Sequence, residues 1–313
     1  MSTHLNHNFK WSGRVDGNLK SDLRWHQIVQ YSDLKDLKGL TNSWGIVGFS
    51  VDEGVNRNRG RVGAADGPSV IRKACCNIPV HRSDQLINDF GDIVNSGKSL
   101  EELQHNLIDV IKEFHLNGIK SIVLGGGHEV SFPHFTGIKR AYPNKSIGVI
   151  NFDAHFDLRE VNLNIGSTSG TGFWEIKNST GELNYLILGV QKISNTATLF
   201  ERAHQYGVKL IEADMFDSGQ TELIMRTISD FCSSVDLVYV TLDMDVFSAA
   251  FAPGVSAPAS IGLFPNNEFR QIFKFVKNQP NVVAFDIAEV NPLYDVDGRT
   301  SNLAAGFLYN WLS

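Results

Sequence analysis

The chain has 313 residues, of which 42% are hydrophobic and 20% charged, and its formal net charge is -6. This composition is typical of a globular protein with a sizeable core, and the negative charge argues against a nucleic-acid partner. We find no apolar signal-peptide region and no membrane-length apolar run, so we expect a soluble, cytoplasmic protein. The three cysteines cannot all pair, which predicts reduced thiols.

Eight short apolar runs alternate with helix-like segments after a polar N-terminal arm. The predicted strands begin at Trp44, Leu86, Ser121, Ser146, Tyr185, Val208, Asp236 and Val282. Several runs are apolar without alternation, which is typical of strands covered on both faces. Helical spacing of apolar residues predicts a helix from Ser99 to Asn117, and Pro68 suits the first turn of another.

Repeated β-α units predict a parallel sheet with helices packed on its faces. An open three-layer sheet and a closed (β/α)₈ barrel both contain eight such units, and spacing alone does not separate them. We find no internal repeat, low-complexity segment or linker that would divide the chain. The sequence therefore predicts one domain, residues 1–313, with residues 1–40 as an arm packed on it.

Polar side chains collect where four of the predicted strands end, which is where ligands bind in parallel α/β folds. The four stretches are GGGHE from Gly125, NFDAHFDLRE from Asn151, TLDMD from Thr241 and DIAEVNP from Asp286. If the second stretch continues its strand, Asp153, His155 and Asp157 point to one side. Phe152, Ala154 and Phe156 would then point to the other side.

These stretches together predict a site for two divalent cations. Singly, a D-x-D pair is more often a cap, and His128 more often a satisfied core histidine. Together, Asp153, Asp157, Asp243 and Asp245 would crowd one rim with negative charge that Arg159 alone cannot neutralise. Carboxylates and imidazoles without thiolates favour Mn²⁺ over Zn²⁺. Two such ions can activate a bridging water, which favours hydrolysis.

In order and spacing, the motifs GGGHE, DAHFD, DMD and DIAEVNP resemble those of the ureohydrolases, the arginase, agmatinase and formimidoylglutamase enzymes. The resemblance runs from the segment NRGRVGAADGPSVIR to the C-terminal helix. It implies a three-layer α/β/α sandwich around a mainly parallel eight-stranded sheet, two Mn²⁺ per subunit and a homo-oligomer. It also implies six metal ligands: His128, Asp153, His155, Asp157, Asp243 and Asp245.

Within that family, the chain is most similar to the formimidoylglutamases. Phe173, in SGTGF, stands where arginases and agmatinases carry a proton-transfer histidine, and Arg159 directly follows DAHFDL. The stretches WSGRVDG and DEGVNRNRGRVGA are also similar. The resemblance implies hydrolysis of N-formimidoyl-L-glutamate to L-glutamate and formamide by a hydroxide bridging two Mn²⁺, in L-histidine degradation. The alternatives are another ureohydrolase (arginase, agmatinase or guanidino-acid hydrolase) and a catalytically silent relative.

The small-molecule substrate implied by this resemblance has a cationic head and two carboxylates. Glu289 matches the acid that binds the head, and Asp157 or a metal-bound water is left as proton donor to the leaving amine. A guanidinium binds a carboxylate bidentately, so we expect Arg159 to hold one, with a bond to Asp157 as the alternative. A second cationic loop is either solvated or binds the other substrate carboxylate; it contains Arg57, Asn58, Arg59 and Arg61. The expected substrate contacts are Asn58, Arg159, Ser169, Thr171 and Glu289, although Ser169 and Thr171 also suit a turn.

Overall fold

A computed structural model describes residues 5–81 and 86–313. Among these residues one sheet is formed by nine strands: β1 (Val29–Tyr31), β2 (Trp44–Ser50), β3 (Ile87–Val94), β4 (Lys120–Leu124), β5 (Ile147–Phe152), β6 (Asn184–Val190), β7 (Lys209–Glu212), β8 (Leu237–Asp243) and β9 (Val282–Ala288). Their order is β1-β3-β2-β4-β9-β8-β5-β6-β7, and every neighbouring pair is parallel. The sheet has two free edges, so the open fold is confirmed and the barrel is wrong.

The α-helices of the described residues are α1 (Trp25–Ile28), α2 (Glu53–Arg57), α3 (Gly67–Cys75), α4 (Leu100–Leu116), α5 (Ser131–Ala141), α6 (Gly172–Thr180), α7 (Ala197–Gln205), α8 (Thr221–Ser233), α9 (Asn267–Lys277) and α10 (Arg299–Leu312). The helix predicted from Ser99 is α4, and the Ser99 hydroxyl caps it by accepting a hydrogen bond from the Glu102 amide. Pro68 lies in the first turn of α3, as predicted. In this part of the chain, no helix has the length and apolar character needed to cross a membrane.

The two faces of the sheet are covered by separate hydrophobic cores, as the unalternating strands predict. On β4, Ile122 and Leu124 belong to one core and Val123 to the other. Helices α3, α8, α9 and α10 contribute to the first core, whereas α4, α5, α6 and α7 contribute to the second. The protein is therefore the three-layer sandwich that the resemblance implies.

The sheet differs from the expected one by its ninth strand, β1, in the N-terminal arm. Val29 pairs with Ile87 and Tyr31 with Asp89, which puts β1 at the edge beside β3. Three residues in a polar segment carry too little periodicity to be recognised from sequence. The arm is also anchored by Trp11, whose indole nitrogen donates to buried Asp89 at 2.7 Å. We propose on this basis that residues 1–40 form an arm on a single domain.

Candidate metal centre

The carboxyl ends of four adjacent strands carry the predicted site. In the sheet β4, β9, β8 and β5 are consecutive, and Leu124 pairs with Ile287 near the ends of the first two. Because parallel strands end at the same edge, the segments that follow them meet there. The structure brings together the side chains of His128, Asp153, His155, Asp157, Asp243, Asp245 and Glu289 at this edge.

The first six of these residues form two overlapping groups of potential ligand atoms. Atoms of His128, Asp153, Asp157 and Asp243 lie within 4.8 Å of one another, and so do atoms of Asp153, His155 and Asp245. His128 Nδ1 is 2.9 Å from Asp157 Oδ2 and 3.1 Å from Asp243 Oδ2. Asp153 belongs to both groups, so two cations held in them would share one carboxylate.

The loop after β5, rather than the strand itself, delivers three of these side chains. The strand ends at Phe152, so the predicted strand alternation through Asp157 is wrong. Phe152 and Phe156 pack in opposite cores instead of on one face. Asp157 has a φ of 49°, a left-handed conformation uncommon outside glycine, and its carbonyl accepts from the Phe173 amide at 3.2 Å. A bent loop therefore turns Asp157 back toward His128.

Glycines after β4 let His128 enter the site from the other side. A side chain at Gly126 would place its Cβ 1.9 Å from the Val51 carbonyl oxygen, so only glycine fits that close approach. The Gly126 carbonyl in turn accepts from the amide of Glu289, which has a φ of 69°. The close packing at Gly126 thus fixes the backbone of Glu289 next to the segment that carries His128.

The buried carboxylates and imidazoles strongly perturb one another. Burial and the neighbouring carboxylates raise the pKa of Asp243 well above its ordinary value and that of Asp245 to about 6, while His155 opposes the shift at Asp245. Burial alone would lower the pKa of His128, but the carboxylates of Asp153, Asp157 and Asp243 outweigh it and raise that pKa. In the absence of cations, protons shared with the histidines are the available counter-charge.

The residues present fit divalent cations. His128 Nδ1 is buried and makes no hydrogen bond, although three carboxylates lie within 3.2 Å of it. Once deprotonated, Nδ1 directs a lone pair at the same point as several carboxylate oxygens, which is the arrangement of metal ligands and requires a cation as counter-charge. Oxygen and imidazole donors without thiolate suit Mn²⁺ and related ions.

Cation binding to this cluster is expected to strengthen as pH rises and His128 and His155 lose their protons. The raised pKa values of both histidines mean that each holds its proton to a higher pH than an ordinary histidine, and each must lose that proton to become a ligand. Calorimetric titration of Mn²⁺ in buffers of different protonation enthalpy should show more than one proton released per pair of ions. Binding without proton release would contradict this assignment.

Glu289 lies beside the cluster with both carboxylate oxygens held. One oxygen accepts from the His128 amide at 2.8 Å and the other from the Ser256 hydroxyl. Burial raises the pKa of Glu289 to about 7, and the nearby Asp245 carboxylate adds to the shift. A cationic group placed against Glu289 would reverse that shift and be stabilised by it. Ser256, in a loop without a recognisable motif, could not be found from the sequence.

A cavity of about 250 Å³ opens over the cluster, and two arginines on its wall have no partner among the described residues. Arg59 and Arg159 are exposed to it, and neither guanidinium bonds any residue within 5–81 or 86–313. The alternative bond from Arg159 to Asp157 is therefore absent from these residues. Arg57 is committed to Glu53 and Glu101, and Arg61 binds the Val255 carbonyl.

Two of the three polar residues predicted as substrate contacts line this cavity. Asn58 donates to the Ser169 hydroxyl at 3.0 Å, and both residues face the cavity. Thr171 is buried, and its hydroxyl bonds the Thr168 carbonyl at 2.9 Å and Glu175 at 2.6 Å. These contacts fit the turn interpretation, and Thr171 does not line the cavity.

Phe173 occupies a buried position below the cluster. Its ring centroid is 5.7 Å from that of His128, and it stacks on Tyr185 at 4.4 Å. No part of Phe173 is exposed, and it does not line the cavity. The position that holds a proton-transfer histidine in the arginase pattern is thus filled here by a core aromatic.

Comparison with known proteins gives consistent results over nearly the whole chain. The family model described as the arginase family matches residues 42–313. A formimidoylglutamase of Macrococcus caseolyticus is 40% identical over 96% of this chain and 94% of its own length. One of Clostridium tetani is also 40% identical, over 96% of this chain and 92% of its own.

Solved structures show the same fold. A crystal structure of the Trypanosoma cruzi formiminoglutamase with Mn²⁺ is similar, with a TM-score of 0.76, 26% identity and coverage of 89% of this chain and 96% of that one. The formimidoylglutamase of Bacillus subtilis superposes with a TM-score of 0.82 over 98% of this chain and 94% of that one; at 23% identity it supports the fold alone. Together with the family match, these findings show that the chain belongs to the arginase family.

Proposed function

We propose that this protein hydrolyses N-formimidoyl-L-glutamate to L-glutamate and formamide. The observation that carries the proposal is the pairing of a six-residue metal cluster with two guanidiniums, Arg59 and Arg159, that have no partner among the described residues, in one cavity. The formimidoylglutamases that are 40% identical over 96% of the chain support the same substrate. Arginine and agmatine carry at most one carboxylate, so they would leave at least one guanidinium unused.

Two Mn²⁺ ions are the proposed cofactor. His128, Asp153, Asp157 and Asp243 would hold one ion, while Asp153, His155 and Asp245 would hold the other. The structural relative from T. cruzi was crystallised with Mn²⁺, and the oxygen and imidazole donors here suit that ion. When bound, such a pair of ions lowers the pKa of water and so supplies a hydroxide nucleophile near neutral pH.

Glu289 is proposed to bind and orient the cationic formimidoyl head. Its carboxylate is fixed by the His128 amide and the Ser256 hydroxyl, so it presents a rigid negative charge beside the cluster. The raised pKa of Glu289, about 7, means that an unpaired charge is costly there, and an amidinium relieves that cost. The head would therefore lie with its carbon facing the attacking oxygen.

Arg59 and Arg159 are proposed to bind the two carboxylates of the glutamate part. A guanidinium offers two parallel N–H donors to a carboxylate, which fixes both position and orientation. Asn58, which precedes Arg59, donates to Ser169, and both residues line the cavity, where they can contribute further hydrogen bonds. Binding at both ends would hold the scissile C–N bond over the cluster.

The reaction adds water across the formimidoyl carbon and breaks its bond to the glutamate nitrogen. The water oxygen stays with formamide, and the leaving nitrogen takes up a proton to become the amine of glutamate. Phe173 cannot donate that proton, because its side chain has no ionisable group. The candidates that remain are a cation-bound water and Asp157, which would have to be free of its cation to carry the proton.

The substrate assignment is tested by comparing formimidoylglutamate with arginine, agmatine and guanidino acids under one set of Mn²⁺ conditions. We expect formamide release from formimidoylglutamate, with kcat/KM at least about 10³-fold above the other substrates, because they leave one or both of the Arg59 and Arg159 guanidiniums without a carboxylate. Urea release from arginine or agmatine at a comparable rate would replace this proposal by the ureohydrolase alternative. Failure of every substrate, with no Mn²⁺ uptake, would favour the silent relative.

The wider setting of this reaction is also a proposal. Formimidoylglutamate arises in L-histidine degradation, and we place the enzyme in that route, in the cytoplasm, as a homo-oligomer. Deleting the gene should make cells that consume histidine accumulate formimidoylglutamate. Sedimentation analysis would give the assembly size.

A further inference from the structure

A chain of buried polar side chains starts at the outer nitrogen of His128 and leads into the sheet. His128 Nε2 is 2.9 Å from the Thr241 hydroxyl. Thr241 and Tyr239 lie two residues apart on β8, so they share one face of the strand. The Tyr239 hydroxyl donates to Asp286, and His134 Nδ1 contacts the same carboxylate oxygen at 2.7 Å.

The chain continues on the far side of Asp286 without reaching a substrate. His134 Nε2 is 2.8 Å from the Ser121 hydroxyl, which is 3.0 Å from His115 Nε2. Ser121, His134 and Asp286 have the connectivity of a Ser-His-Asp triad. All three side chains are fully buried, and Ser121 lies inside β4, flanked by β2 and β9. With no access for a substrate, this arrangement is not a second active site.

The hydrogen-bond directions along the chain follow from its two ends. Nδ1 of His128 faces three carboxylates and makes no hydrogen bond, so it is the nitrogen positioned to bind a cation. The ring proton then belongs on Nε2, which donates to Thr241. Burial raises the pKa of Tyr239 well above its ordinary value, so its hydroxyl keeps the proton that it donates to Asp286.

We propose that Thr241 is a positioning residue whose hydroxyl accepts from His128 Nε2, fixing the ring's orientation and keeping its proton on that nitrogen. The inference rests on the proposed metal-binding role of His128. In many metal sites a carboxylate bonds the outer nitrogen of the ligand histidine directly, and losing that contact weakens metal binding. Here the Thr241 hydroxyl takes the place of that carboxylate, and Tyr239, on the same strand face, bonds Asp286.

Thr241→Val tests the proposal, because valine keeps the shape of threonine and removes the hydroxyl. Calorimetric titration of the full-length apoprotein with Mn²⁺ should show about 10- to 100-fold weaker binding at the His128 group. The other group, Asp153, His155 and Asp245, provides a reference for the second ion. Thr241→Ser should restore wild-type affinity, and Tyr239→Phe should show a smaller loss than Thr241→Val.

Ser121→Ala is the matched control, since it removes an equally buried hydroxyl from the branch that does not lead to His128. It should alter thermal stability and leave Mn²⁺ affinity unchanged. Long-range ¹⁵N–¹H spectra of histidine-labelled apoprotein at a pH high enough to deprotonate His128 should show its proton on Nε2 in the wild type, and a tautomer mixture in Thr241→Val.

Three results would overturn the inference. They are wild-type Mn²⁺ affinity in Thr241→Val, an equal loss in Thr241→Ser, or an equal loss in Ser121→Ala. If the wild type itself binds no Mn²⁺, the proposed metal cofactor fails instead. The two failures are therefore distinguishable within one set of titrations.

Discussion

Asp243→Ala is expected to reduce formamide release from formimidoylglutamate by at least about 10³-fold, or about 4 kcal/mol of transition-state stabilisation. Asp243 is buried, and its Oδ2 lies 3.1 Å from His128 Nδ1 within the first ligand group. Removing it takes away one carboxylate ligand and leaves His128 facing two carboxylates, those of Asp153 and Asp157, instead of three. Steady-state kinetics and metal analysis of the same preparation provide the measurement, with fewer than two Mn²⁺ per chain expected.

The control for this variant is Asp236→Ala, at the opposite end of the same strand segment. Asp236 is half-exposed and bonds Lys145 and Ser146, away from the cavity. Its replacement should leave activity and metal content near the wild-type values. If Asp243→Ala retains full activity, or if Asp236→Ala loses as much, Asp243 does not act as a ligand.

Arg159→Met is expected to lower kcat/KM for formimidoylglutamate by about 10- to 150-fold, mainly through KM, because a charge-assisted bond to a carboxylate contributes about 1.5–3 kcal/mol. Methionine keeps the aliphatic stem of Arg159 and removes the guanidinium. Arg59→Met should have a similar effect for the other carboxylate. Arg159→Lys should fall between wild type and Arg159→Met, because lysine keeps the charge and loses the bidentate geometry.

A shortened substrate identifies which arginine holds which carboxylate. N-formimidoyl-4-aminobutyrate lacks the α-carboxylate and should be a poorer substrate for the wild type. If the replaced arginine is the one that binds the α-carboxylate, its variant should have the same kcat/KM as the wild type with the shortened substrate. The other variant should show the same fold-loss relative to the wild type with the shortened substrate as with the full one. Equal kcat/KM of wild type and both variants on the full substrate would remove Arg59 and Arg159 from recognition.

The sheet could be predicted from the sequence because its strands are apolar on both faces. Each of the eight predicted starts lies within one residue of the start observed, from Trp44 to Val282. Strand β1 could not be predicted, since it has three residues and pairs only at the edge with β3. The choice between open sheet and barrel came from the resemblance, because strand order depends on contacts distant in sequence.

The cluster residues were identified from motifs, but their geometry depends on backbone that local patterns do not encode. The conformation at Asp157 is fixed by contacts with the segment carrying Phe173, and that at Glu289 by the Gly126 carbonyl. These contacts join segments far apart in the chain. Asp153, His155 and Asp157 therefore lie together as predicted, but a bent loop brings them together and not the predicted strand alternation.

The arginine loop shows the same limit for substrate recognition. Arg57, Arg59 and Arg61 are indistinguishable in sequence, and the structure separates them by what they bind. Arg57 binds Glu101, in the first turn of α4, and Arg61 binds the Val255 carbonyl. Of these three arginines, Arg59 remains available to the cavity. The position of Thr241 near the cluster could have been predicted from the sequence, because Thr241 shares a strand face with Asp243.

Titration of the metal-free protein with Mn²⁺, with formamide release from formimidoylglutamate followed at each step, tests the account most directly. We expect activity to be absent without metal, to rise with Mn²⁺, and to reach its maximum when two ions are bound per chain. Full formamide release by the metal-free protein, or uptake of two ions with no formamide release, would contradict the account.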